Sequence, residues 1–226
     1  MNSINKTARM AGLLYFIYIV ITIPADALAR SPLIVFGDAT TTARNIMASE
    51  WRFRIGITGD LVSAVFFLLA AWALYRLLKP VNNDFALLFL LLNLGGVAVY
   101  SINLLNQFAA VLLLSGADYL KVFQTDQLQA LAMFFLILNK NGYWIAQIFF
   151  GAWLLPLGYL VYKSGFLPKI LGIVMMIHFV GWTMTSLQFF LFPTFGSIIY
   201  LTGSLGFISE FGLTLWLLIM GVKEQK

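Results

Sequence analysis

Ile170-Leu171-Gly172-Ile173-Val174-Met175-Met176-Ile177-His178-Phe179-Val180-Gly181-Trp182-Thr183-Met184-Thr185-Ser186-Leu187-Gln188-Phe189-Phe190-Leu191-Phe192 contains no Asp, Glu, Lys or Arg. A membrane helix needs about 20 mostly apolar residues, because a rise of about 1.5 Å each carries them across a hydrocarbon layer about 30 Å thick. This stretch meets that requirement, and five others do so too: roughly 10–29, 55–78, 85–114, 143–162 and 198–222. Hydrophobic residues make up 61% of the 226 and charged residues 10%, against about 45–50% and about 25% in a soluble domain. With a mean hydropathy of +0.91 and 21 Phe, the chain has more apolar surface than a core of its size can hide. That excludes a soluble enzyme, a disordered tail and a coiled coil. The expected fold is an all-α, polytopic bundle of six transmembrane helices in a single domain, 1–226.

Basic residues orient it. With six spans, one side carries Lys6, Arg9, Arg76, Lys79, Lys163, Lys169, Lys223 and Lys226 in short segments. The other carries Arg30, Arg44, Arg52, Arg54, Lys121 and Lys140 over longer loops, offset by six acidic residues. The Lys/Arg excess in short loops places the first side, with both termini, in the cytoplasm. The net charge of +5 is therefore a topology signal beside anionic lipid rather than a nucleic-acid footprint. At the N-terminus, Lys6 and Arg9, an apolar run and Ala27-Leu28-Ala29 imitate a secretory signal. The run is long enough to span and five more follow, so retention is the expectation.

Short interfacial helices are expected in the first and third loops. Asp38 is a good N-cap for a helix whose apolar residues Ala39, Ala43, Ile46 and Met47 oppose Thr42, Asn45, Ser49 and Arg52. In the third loop Asp126 and Gln129 resemble a capping box opening the apolar run Leu128–Leu138, and Asn139-Lys140-Asn141-Gly142 closes it. That run is too short to span, and reads as an interfacial helix or an outward extension of the fourth span. Pro156 and Gly95-Gly96 fall mid-span, where they bend or loosen helices.

Several patterns resemble a bacterial six-span membrane family known only as a domain of unknown function, family 4386. They are Ala8-Arg9-Met10-Ala11-Gly12, Gly37-Asp38 with Thr42-Ala43-Arg44-Asn45-Ile46, Arg54-Ile55-Gly56-Ile57 with Asp60, and Ala73 through Asn82 with its Tyr75-Arg76 and Lys79-Pro80. Phe149-Phe150-Gly151 with Gly158-Tyr159, Ser164-Gly165-Phe166-Leu167-Pro168 with Gly172, and Leu215-Trp216-Leu217-Leu218 continue the series. The resemblance implies a bacterial cytoplasmic-membrane protein of six helices, and no reaction. It also favours keeping the first span.

An ionisable group within a span costs about 2.5–3.5 kcal/mol on insertion scales, so each needs a partner, water or a neutral state. By helical rise, Glu210, His178 and Asn93 share one level, and Asp26, Asp60, Asn103, Gln147 and Gln188 share another nearer the outside. The functional reading is an outward-facing polar pocket lined by these residues, with Glu210 and His178 at its floor. The bland reading is hydrogen bonding that fixes the bundle. In the first loop Arg44, Asn45, Arg52 and Arg54 either gather an anion or anchor lipid phosphates. With no Cys, one His, no phosphate-binding Gly-rich loop and no mid-span Lys, no cofactor or metal is expected. The reading is a small-molecule or proton binding, carrier or sensing protein, leaning away from an enzyme, with the lipid bilayer as its partner. An intramembrane enzyme using Glu210 and His178 on a lipid-like substrate, or a structural subunit, are the alternatives.

Overall fold

The computed structural model describes residues 3–192 and 205–222. The described residues are helical, without strands. Among the described residues, five helices are long and apolar enough to cross a membrane: Ile4–Leu33, Glu50–Leu78, Asn83–Leu113, Thr125–Lys163 and Lys169–Leu191. The start of the expected sixth span and the tail residues Lys223 and Lys226 lie outside the described residues. Of that span, Ile208–Met220 is an apolar helix.

In chain order, α1 is Ser3–Pro24, α2 Ala39–Ala48, α3 Glu50–Leu78, α4 Asn83–Asn103, α5 Leu105–Leu113, α6 Thr125–Ala152, α7 Leu154–Lys163 and α8 Lys169–Leu191. We label residues 207–220 α9; it is π-helical over Phe207–Phe211 and Trp216–Met220 and α-helical between them. The chain forms two compact units.

One unit draws on Met1–Tyr18, Val65–Val97 and Trp144–Lys226. Its interior is aromatic. Tyr15, Phe67 and Trp153 pack with ring centroids 5.1–6.3 Å apart, Tyr18 stacks on Phe67 at 4.3 Å, and Phe89 meets the edge of Trp153. Aromatic pairs in these offset geometries contribute about 0.5–1.5 kcal/mol beyond their buried area. The ends of α1 and α9 are clasped. Asn5 Oδ1 accepts from the Val222 amide at 3.1 Å, and Arg9 donates to the Ile219 carbonyl at 3.4 Å. These side chains satisfy backbone groups that a helix end leaves open. Where α7 crosses α8, a Cβ on Gly172 would sit 2.5 Å from the Gly158 carbonyl oxygen, and one on Gly158 2.8 Å from that of Gly172. Only a pair of glycines allows that approach.

The other unit draws on Ile19–Ala64 and Ala98–Tyr143. Leu33, Ile46, Phe53, Ile57, Leu104, Val111 and Leu136 form its core. As expected, Asp38 caps α2, its carboxylate accepting from the Thr41 amide at 2.8 Å. That bond holds the Asp38 carboxyl below the ordinary aspartate range. The faces of α2 differ from expectation. Thr42 is buried, exchanging bonds with the Val35 backbone, and Met47 is half exposed. A hydroxyl that closes a turn is better placed inside than a thioether is.

In the third loop the second alternative is the one that forms: residues 128–138 are an extension of the fourth span and no separate interfacial helix, because α6 runs unbroken from Thr125 through Asn139-Lys140-Asn141-Gly142. The amides that were to end the helix instead bond sideways. Asn139 Nδ2 donates to the Asn103 carbonyl at 3.1 Å, and its Oδ1 accepts from Gln107 at 3.0 Å. Nor does Asp126 with Gln129 form the capping box. Gln127 reaches back to the Gln124 amide, while Gln129 accepts from Thr40. The glycine pair of α4 does not loosen it, for Phe149 and Phe150 pack against Gly95 and Gly96. The third stretch breaks at Leu104, between α4 and α5. The fourth breaks at Trp153, which puts Pro156 in the first turn of α7, where a missing N–H costs little.

Candidate functional site

Two polar centres stand out, one in each unit. The first is built on the π-helical turn Phe207–Phe211, which carries Ser209 and Glu210. Tyr15 on α1 donates its hydroxyl to Glu210 Oε2. On the other side of the carboxylate, Glu210 Oε1 lies 3.8 Å from His178 Nδ1 on α8. Ser209 Oγ lies 3.4 Å from that same nitrogen. His178 is buried, Trp182 meets it edge-on at 5.4 Å, and its Nε2 has no hydrogen-bond partner among the described residues. The carboxylate thus sits between two groups able to hand over or take up a proton. The arrangement is not that of a serine nucleophile. In a Ser–His–acid triad hydroxyl and carboxylate bond opposite ring nitrogens, whereas here both approach Nδ1.

The second centre lies where the end of the first long helix meets α3. The six residues Ala25–Arg30 form a π-helical turn, followed by the 3-10 turn Ser31–Leu33. One guanidinium nitrogen of Arg30, Nη2, lies 3.0 Å from Asp26 Oδ1 and 2.9 Å from Asp60 Oδ2. Tyr100 is the other polar group that faces Asp60. Asp60 is fully buried, Arg30 nearly so, and Asp26 exposed on 57% of its side chain. Gly56 makes the slot for Arg30. A Cβ there would collide with Arg30 Cγ and stand 2.9 Å from the Ala25 carbonyl oxygen.

The structure joins Glu210 to His178, and Asp26 to Asp60 through Arg30. Asn103 belongs to the amide cluster with Asn106, Gln107 and Asn139, donating to the Asn139 carbonyl at 2.8 Å. Asn93 is buried, with neither amide atom hydrogen-bonded among the described residues. Gln147 is buried on α6, its carbonyl accepting from Trp182. Gln188 is half buried on α8 and has an interaction of its own. The basic residues of the first loop have separate engagements. Arg52 donates to the Leu28 carbonyl, Arg54 pairs with Glu50 at 2.7 Å, Asn45 reaches the Leu33 carbonyl at 3.4 Å, and Arg44 is exposed.

Sequence reasoning missed Tyr15 and Arg30. Tyrosine is common in apolar spans and carries no warning of a partner far along the chain. Arg30 was counted as a loop charge, yet it stands four residues from Asp26, a spacing that joins opposite charges on a helix.

Together, the apolar helices and the charges sheltered among them define a multi-pass, all-helical membrane protein. The chain matches the family described as a domain of unknown function, DUF4386, over residues 10–221. It belongs to that family. It is also similar to an uncharacterized protein of Archaeoglobus fulgidus, 28% identical over 167 residues, which cover 74% of this chain and 84% of the relative. No solved structure matches it.

Proposed function

We propose that this chain is a six-span protein of the cytoplasmic membrane, both termini inside, which binds and passes on or senses a proton or small solute at Glu210. The apolar α9 and the Lys/Arg excess in the short loops support that topology. The observation that carries the function is the position of Glu210, with the Tyr15 hydroxyl on Oε2 and the His178 ring facing Oε1. A carboxylate and an imidazole, the two commonest biological proton carriers, are held together within apolar surroundings. Of the remaining polar candidates, Asn93, Gln147 and Gln188, in the same unit as Glu210, belong on this reading to an access route. Arg44, Asn45, Arg52 and Arg54 engage lipid phosphate or an incoming anion.

The test is proton uptake into liposomes of the full chain, driven by a potassium diffusion potential and followed with an internal pH dye. Wild type is expected to exceed empty liposomes several-fold, and Glu210→Gln to fall to their level while keeping its helical circular dichroism. A folded Glu210→Gln protein with the wild-type rate overturns the reading, as does a wild type no faster than lipid alone.

A further inference from the structure

The pair Arg30–Asp60 is independent of the Glu210 centre and lies in the other unit. An arginine that only neutralises a buried carboxylate does best with two parallel N–H bonds. Arg30 does not do this. Its Nη2 donates to Asp26 Oδ1 at 3.0 Å and stands 2.9 Å from Asp60 Oδ2 as an ion pair only; neither Asp60 oxygen has a hydrogen-bond partner among the described residues, and neither does the buried Arg30 Nε. The two carboxylates are unequal. Asp60 is wholly buried, whereas Asp26 is in contact with solvent and has the Ser31 hydroxyl as a second donor at 2.8 Å. Asp26 can therefore hold Arg30 or do without it, while ionised Asp60 relies on Arg30. The groups facing Asp60 are Arg30 and Asp26 from the π-helical turn and Tyr100 from α4.

The backbone beneath Arg30 supplies a second position. A π turn holds more residues than an α turn and occurs mostly as a local bulge. Here it directly precedes a 3-10 turn, which holds fewer. Moving one residue between them rotates Arg30 by about 100° about the helix axis, off Asp60 and toward solvent. Leu28 stays tied throughout, through its carbonyl to Arg52. We propose that Arg30 is an acid-released latch, which holds the π-helical turn against α3 while Asp60 is ionised and is left with Asp26 as its one carboxylate partner when Asp60 takes up a proton. The attraction that keeps Arg30 in the Gly56 slot is the Asp60 charge, so its neutralisation frees the side chain.

Amide hydrogen exchange of the full chain in lipid nanodiscs, with rates corrected for the intrinsic effect of pH, tests this over residues 25–33. Wild type is expected to exchange several-fold faster in acid than at neutral pH. Asp60→Asn and Arg30→Gln are each expected to exchange fast at both values, and Glu210→Gln to respond as wild type does. Two results overturn the latch: a wild-type segment equally protected at both values, or an acid response that persists in either Asp60→Asn or Arg30→Gln. The wild-type comparison alone suffices should neither variant fold. Loss of the acid response in Glu210→Gln would assign it to the other centre, and likewise overturns the latch.

Discussion

Replacing Tyr15 by Phe removes one oxygen atom and leaves the surrounding aromatic packing in place. Interhelical hydrogen bonds in membrane bundles average about 0.6 kcal/mol, with a maximum near 1.7, whereas bonds to charged groups in proteins reach about 1.5–3. Tyr15 is fully buried, and its hydroxyl donates to a carboxylate that has His178 on its other oxygen. The range for charged groups therefore applies. We expect Tyr15→Phe to cost about 2 kcal/mol in the native background. In Glu210→Gln the acceptor is neutral, and the same substitution is expected to cost about 0.6. The difference of about 1.4 kcal/mol is a tenfold change in the folding equilibrium. Reversible unfolding of all four proteins in mixed detergent micelles, with rising fractions of dodecyl sulfate, measures it as a double-mutant cycle. Equal costs in the two backgrounds would refute the argument that Glu210 holds Tyr15 by its charge. So would a cost below about 0.5 kcal/mol in the native one.

Other substitutions probe the frame around the sites. Asn139→Ala removes the bonds to the Asn103 carbonyl and to Gln107. Leaving those buried groups bare should cost about 1–3 kcal/mol in the same unfolding assay. Gly172→Val places side-chain carbon where the Gly158 carbonyl oxygen stands; loss of the monodisperse folded species on size exclusion is expected. The Asp38 cap has a pH dependence of known sign. Its folded-state carboxyl titrates below the ordinary value of 3.8, so its support of α2 is complete above that value and is lost as pH falls through the lowered one. Amide protection over residues 39–48 should fall in that acid range in wild type and stay flat in Asp38→Asn, whose side chain caps without titrating.

The apolar stretches were legible because lipid imposes one requirement on every turn of a span, and length with composition expresses it. Asp38 was legible because an N-cap and its helix lie within four residues. What was not legible depended on contacts made far along the chain. Asn139 through Gly142 have the composition of a helix stop, yet the Asn103 and Gln107 partners that keep them helical are more than thirty residues away. Arg30 reads as a loop charge because the first stretch is expected to end at Ala29; the π and 3-10 turns carry helical backbone on to Leu33. Glu210 and His178 were singled out by the cost of placing such groups in oil, but that cost names no partner. Tyr15 stands 195 positions from Glu210, and nothing local to it marks the pairing.

The clasp between the two ends of the chain has a consequence for biogenesis. Asn5 meets Val222 across 217 positions, so α1 waits for the much later α9. At synthesis rates of about 5–20 residues per second, the 195 positions between Tyr15 and Glu210 take roughly 10–40 s to make. Throughout that interval the phenol of the inserted helix lacks its carboxylate, and a translocon, chaperone or neighbouring lipid must shield it. A stop codon between α8 and α9 would release a nascent product that has most of its apolar mass and no means of making this clasp, which makes it a natural substrate for membrane proteases.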